Sequence, residues 1–224
     1  MQIGFLGPLR ASEGERGVPL GGPKQRLVLA HLLIRANQVV PADRLIAEIW
    51  ADNAPDAVRS SLHSYVSHLR KALGADRIES HGQGYAVRVE PDEVDGLQFE
   101  ALAREGHRLL DADPQDAARV LGEALDLWQG PPFADLAAEP SLQPEVDRLE
   151  ELRVWVLEDR IADELASGRD AQLVAKLEAL TAAHPLRERL WGHLVLALYR
   201  SGHAKDGWPR RTLWPVSIPA CANA

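Results

Sequence analysis

Residues 58–73 place the tightest constraint on this chain. Leu62, Val66, Leu69 and Leu73 recur at the spacing of one helical face, and that face requires a core. The opposite face shows Arg59, Ser60, His63, Ser64, Ser67 and Arg70, all basic or small donors, with no apolar group among them. Arg70 and Lys71 fall in the last turn and Gly74 follows, a usual helix stop. From Ala57 to Ala75 there is no carboxylate. Such a helix packs on one side and offers the other to a polyanion. Short hydroxyls let the helix axis come close to the bases, and arginine can read guanine or clamp phosphate.

The flanking segments tell what surrounds it. Ile3 and Phe5 alternate with Gly4 and Leu6, and a second extended piece ends at Val18-Pro19-Leu20. The polar stretch Ser12 to Gly17 between them predicts small strands joined by a hairpin. Gly21-Gly22-Pro23 opens a helix that carries Leu29, Leu32, Leu33 and Ala36 on a broad stripe. Val39-Val40 is a short extended link, and Pro41 starts a second helix with Leu45, Ile46, Ile49 and Trp50 on one face. Asn53-Ala54-Pro55-Asp56 signals the start of the third, with Asp56 expected in its first turn. Beyond Gly74, Ile78 to Ser80, the glycine-bracketed tip His81-Gly82-Gln83-Gly84, and Tyr85, Val87 and Val89 alternating with Ala86 and Arg88 predict a hairpin. Three helices followed at once by a hairpin make a winged helix. His81 and Gln83 then sit at the wing tip, beside the groove that the 58–73 helix enters. The plainer alternative is a solvated helix next to an edge hairpin.

The net charge of −8 argues on average against nucleic acid, but the average hides a split. Residues 1–94 carry 11 basic and 11 acidic side chains, whereas 95–224 carry 14 and 22. A neutral half with a carboxylate-free basic stretch is still suited to DNA. No apolar run approaches a membrane span, and the first residues lack a basic, signal-like start, so a cytoplasmic location is expected. The single cysteine, Cys221, excludes an internal disulfide. No Walker loop or nucleophile elbow occurs, and His63 and His68 have no third ligand near them. No cofactor, metal or enzymatic activity is expected.

Residues 95–206 read as helices: Leu97 to Leu110, Pro114 to Trp128, Glu145 to Ser167, Ala171 to His184 and Leu186 to Ser201. Breakers such as Asp113-Pro114, Gly130-Pro131-Pro132 and His184-Pro185 separate them, which suggests an array of helical hairpins. Trp128, Trp155 and Trp191 are expected in the core. Residues 207–224 hold Trp208, Trp214, Pro209, Pro215 and Pro219 without helical or strand period, and are expected to be a divergent, disordered tail.

Taken in order, Leu6-Gly7-Pro8-Leu9, Gly21 to Arg26, Asn37 to Val40, Leu45 to Trp50, Val58 to Leu73 and Gly84-Tyr85 resemble the OmpR/PhoB-type winged helix of the SARP (Streptomyces antibiotic regulatory protein) family of transcription activators. Ala124 to Gly130, Arg148 to Arg153, Glu158 to Arg160, His184 to Trp191 and Leu196 to Gly202 resemble the bacterial transcriptional activator domain that follows it there. The resemblance stops near Asp206, and a truncated or frameshifted tail is one explanation. The resemblance implies a mainly α fold with small β. It places a winged helix-turn-helix in 1–94 (β-sheet, three helices, β-hairpin wing) and a tetratricopeptide-like helical domain in 95–206. It implies Arg59, Ser60, His63, Ser64 and Ser67 as base readers and Arg70 and Lys71 as phosphate contacts. It also implies promoter DNA, RNA polymerase and a second subunit on DNA as partners. Two positions depart from the family pattern: Ala86 stands where Arg is common after the wing Gly-Tyr, and Ser60 where a second basic residue is common. The competing function is a protein-interaction adaptor with no specific DNA binding.

Overall fold

The computed structural model describes residues 1–168 and 170–202. Its elements run β1 (Gln2–Gly4), β2 (Arg10–Glu13), β3 (Arg16–Gly17), α1 (Pro23–Ile34), β4 (Val40–Pro41), α2 (Ala42–Trp50), α3 (Val58–Leu73), β5 (Ile78–His81), β6 (Gly84–Val87), α4 (Asp95–Leu109), α5 (Pro114–Asp126), α6 (Gln143–Ala166), α7 (Asp170–Ala183) and α8 (Glu188–Arg200). The fold is mainly helical with two small antiparallel sheets, ordered β1-β2-β3 and β4-β6-β5. Packing divides the chain after Asp159. The tail expected at 207–224 lies outside the described residues.

In the first unit, residues 1–159, α1 is the central element. Leu27 through Leu33 are buried without a break, so this helix has no outward face. Pro23 starts it, and the Gln25 side chain accepts from the Gly22 N–H at 2.6 Å, closing the first turn. α2 and α3 lay Leu45, Ile49, Leu62, Val66, Leu69 and Leu73 into the same core. Burying each such side chain contributes about 1.5–3 kcal/mol, so the three-helix arrangement follows from the apolar spacing alone.

Three local expectations change. The first sheet has three strands rather than two, because the polar stretch taken as a turn is itself a hairpin: Ser12 pairs with Gly17 and Glu13 with Arg16. Asp56 lies in the turn before α3 and not in its first turn, since the Val58 N–H is taken by the Pro55 carbonyl and the helix begins there. Val39-Val40, read as a link, supplies Val40 to the wing sheet, where it pairs with Tyr85.

The edge of β1 is tied to residues far along the chain. Asp95, the first residue of α4, accepts from the Phe5 N–H at 2.8 Å and the Leu6 N–H at 3.3 Å. The Gln129 and Phe133 N–H groups donate to the Leu6 and Phe5 carbonyls. Asp135 accepts from the Leu9 N–H at 2.6 Å and pairs with Arg26 of α1. The Phe5 and Phe133 rings stack at 4.8 Å. Gly96 has to be glycine, because a Cβ there would meet the Phe5 ring at 2.1 Å. α4 and α5 then pair closely through Phe99, Ala103, Ala117, Val120, Leu121 and Ala124.

Trp128 fits its expected role: it is half-buried against Phe99, with Arg153 over its ring at 4.7 Å. Trp155 does not. It is 49% exposed and lies beside the His107 ring at the surface. The second unit is built on α7 and α8, which pack through Leu173, Leu177, Thr181, Leu190, Leu194 and Ala197. Arg200 of α8 donates to the Leu165 carbonyl at 3.0 Å, and Trp191, half-buried, donates to Pro185.

Two stability predictions follow from this framework. Asp95→Ala leaves the Phe5 and Leu6 amides without their acceptor, at about 1–3 kcal/mol each. Urea titration is expected to show a loss of about 2–6 kcal/mol in total, and an unchanged midpoint would mean that Asp95 anchors nothing. Glu93 forms a two-point pair with Arg77, which holds its carboxyl down at about 2. A depressed carboxylate stabilises the fold above its unfolded value of 4.5, and that stability drains away as pH falls toward about 2. Arg77→Gln is therefore expected to flatten the stability–pH curve in that window, measured by thermal melting.

Candidate nucleic-acid interface

α3 is held from beneath and from both sides. Leu62, Val66, Leu69 and Leu73 are buried as their spacing requires. Trp50 of α2 stacks on Tyr65 at 5.9 Å, fixing the rotation of α3 about its axis. That rotation turns Arg59, Ser60, His63, Ser64 and Lys71 outward to solvent, with Ser67 and Arg70 half-buried. The six α3 residues named for base or phosphate contact on one face are thus brought to a single surface, with Lys71 beside them.

β5 and β6 form the wing next to this surface. His81 pairs in register with Gly84, so Gly82-Gln83 is the tip, and His81 and Gln83 are exposed there. Gly84 permits the close strand approach, since a Cβ would stand 2.7 Å from the Val40 carbonyl oxygen. The Gln83 carbonyl accepts from the Ala42 N–H at 2.8 Å, which pins the tip to the start of α2. A groove of about 230 Å³ separates α3 from the wing, lined by Arg59, Leu62, Ser80, Gln83 and Tyr85.

Three contacts shape the chemistry of this surface. Arg70 donates from Nε to the Ile78 carbonyl at 2.7 Å and from Nη2 to Ser80 Oγ at 2.8 Å, so it braces the wing against α3. Arg59 donates from Nη2 to Asp43 Oδ1, in the first turn of α2. On the wing, Glu79 accepts from His81 at 2.7 Å and Arg88 at 2.8 Å, and these two bonds hold its carboxyl below the usual range. An ion pair as exposed as Arg59–Asp43 is worth no more than about 1 kcal/mol. A bidentate arginine–guanine contact discriminates by about 1–3 kcal/mol, so the weak pair with Asp43 does not keep Arg59 from a base edge.

Asp43, Glu79 and Arg88 were not singled out from the sequence. Strand alternation put Arg88 opposite Val87 and Val89, which was the available signal. Nothing local marked Asp43, because its partner is 16 residues away. Ala86 is fully buried in the wing sheet, so the position offers no phosphate contact. The basic side chain on that strand is Arg88, which also donates to the Asn37 carbonyl. Among the described residues, no group of three or more His, Cys, Asp or Glu is placed to hold a metal ion, and no helix is long and apolar enough to cross a membrane.

A donor-faced helix on a three-helix core, beside a pinned glycine-tipped hairpin, defines a winged helix-turn-helix DNA-binding protein. Comparisons with known proteins agree. Residues 16–87 match the family model "Transcriptional regulatory protein, C terminal", and residues 94–207 match "Bacterial transcriptional activator domain". The regulatory protein DnrI of Streptomyces peucetius is 38% identical over 218 residues, covering 92% of this chain and 80% of that protein. The regulatory protein AfsR of Streptomyces griseus is 39% identical over 207 residues, covering 92% of this chain but 21% of its own length. A solved structure of Mycobacterium tuberculosis EmbR in complex with a low affinity phosphopeptide superposes with a TM-score of 0.87 at 37% identity, covering 92% of this chain and 56% of that one. The chain belongs to the SARP family of DNA-binding transcriptional regulators. It spans most of DnrI and smaller fractions of AfsR and EmbR.

The brace has a consequence that is independent of DNA. Arg70→Ala removes two bonds between α3 and the wing. Amide hydrogen exchange across 78–87 is expected to accelerate while the core of α1 keeps its protection. Equal protection in the wing of both proteins would assign Arg70 wholly to outward contacts.

Proposed function

We propose that this chain is a cytoplasmic, non-enzymatic activator that reads a short promoter element with α3 and clamps the adjacent backbone with its wing. Arg59, Ser60, His63, Ser64 and Ser67 face the bases. Lys71, His81 and Gln83 meet phosphates or the neighbouring groove, and Arg70 positions the wing. The observation that carries this is the single surface formed by the exposed α3 face and the pinned wing tip. One such surface covers only a few base pairs, so tight binding calls for two copies on half-sites about one helical turn apart. The helical residues 95–202 are assigned to contact with the second subunit or with RNA polymerase, a role supported by the match to the activator domain model.

Selection from a pool of randomised duplexes, at near-physiological salt, tests this directly. Enrichment of a short element repeated about one turn apart is expected, and no enrichment over the input pool would overturn the proposal. On the enriched duplex, Arg59→Ala is expected to cost about 5- to 150-fold in affinity, the equivalent of one bidentate base contact, with a smaller loss on random duplex. Equal losses on both would make Arg59 a phosphate clamp. The logarithm of affinity is also expected to fall linearly with the logarithm of salt concentration, because phosphate neutralisation releases counterions. A flat titration would contradict it.

A further inference from the structure

We infer that Asp43 is a specificity-setting residue of the DNA surface, a positioning group that acts through Arg59. The inference rests on the DNA reading above. Asp43 stands in the first turn of α2, beside the groove that separates α3 from the wing, and its side chain is 72% exposed. Its contact with Arg59 is single: Oδ1 accepts from Nη2. That bond uses one of the two Nη2 hydrogens; the other lies in plane beside an Nε or Nη1 hydrogen with no partner among the described residues, so one two-donor edge of the guanidinium is left free.

Two physical effects then act in the same direction. An arginine already held on one edge gives up less rotamer freedom when its other edge meets a base, so the specific complex loses less entropy. A carboxylate at the rim of a phosphate-binding surface repels backbone phosphates wherever Arg59 cannot reward the approach, so random duplex binds more weakly. Two other carboxylates near this surface are already engaged. Glu79 is engaged by His81 and Arg88, and Glu48 by Arg35 and Arg44. Asp43 is the acidic group whose ion pair is with a base-reading candidate.

The test uses the full chain and the duplex enriched by the wild type, with a scrambled duplex of equal length as reference. Asp43→Asn is expected to raise affinity for the scrambled duplex about two- to fivefold, as loss of one repulsive charge at a partly screened surface would. The ratio of enriched to scrambled affinity is expected to fall about fivefold or more, the lower end of what one bidentate base contact supplies. Asp43→Ser, which keeps a first-turn polar group, is expected to do the same. In an Arg59→Gln background, Asp43→Asn is expected to leave the ratio unchanged, because the positioned group is gone. Repeating the selection with Asp43→Asn is expected to blur the same base position that Arg59→Gln blurs. An unchanged or higher ratio in Asp43→Asn would overturn the inference, and so would an equal fall in the Arg59→Gln background. Failure of the wild type to enrich any duplex would instead overturn the DNA reading, and the inference with it.

Discussion

The structure of the first unit depends on how the chain from Phe5 to Leu9 is held. This segment leaves β1 with its backbone donors and acceptors unpaired by any strand, and it is buried. Orphaned buried amides are costly, so something has to meet them. Asp95 meets the Phe5 and Leu6 donors, Asp135 meets Leu9, and the Gln129, Phe133 and Ala134 donors meet the Leu6, Phe5 and Gly7 carbonyls. Each of these partners lies more than eighty residues on in sequence, and the Leu9 carbonyl accepts in addition from Arg26 of α1. Phe133 adopts a left-handed backbone, φ 53°, which is unfavourable for an aromatic residue and costs about 1–3 kcal/mol. Its stack on Phe5 and its bond to the Phe5 carbonyl hold it there.

This clasp explains why residues 1–159 pack as one unit although the family models divide the chain near residue 90. Arg26 of α1 shares Asp135 with Leu9, and the buried His31 of α1 reaches Ser141 at 3.0 Å. Burial pushes the His31 imidazole down to about 4, so it sits neutral among Glu48, Arg35 and Ser141. The helix at the centre of the winged-helix core is thereby tied to the segment that enters α6. α4 and α5 are thus joined to the core that orients α3 by packed and hydrogen-bonded elements. Asp95 itself carries the strain of this arrangement: burial raises its carboxyl, and the amides it accepts from pull it back only in part.

Much of the fold was legible in the sequence. The four core leucine and valine positions of residues 58–73, the Pro23 and Pro41 starts and the Gly84 strand followed from local periodicity and backbone chemistry. What was not legible depended on distance. Periodicity cannot tell that Ser12 to Gly17 is a hairpin when both arms are polar. It cannot tell that Trp155 faces solvent when the partner helices of that face are unknown. The named interface residues do share one surface, because the rotation of α3 is set by its own apolar face and held by the Trp50–Tyr65 stack. Arg70 is the instructive case. Its place in the last turn suggested an outward cation, yet the hairpin folds back to within reach of its guanidinium. Asp43 was invisible for the same reason, since only the crossing of α2 and α3 creates its pair with Arg59.

The central claim is that α3 enters the major groove of a specific duplex. It is tested most directly by placing a cleavage reagent on that helix. An iron chelate attached to Ser64→Cys, in a chain with Cys221→Ser, generates short-lived radicals that cut nearby backbone. On an enriched duplex, cuts confined to a few positions on both strands within each half-site are predicted, with the same chelate at Val195→Cys in α8 cutting elsewhere or not at all. Uniform cutting along the duplex from position 64, or the same pattern from both positions, would contradict the account.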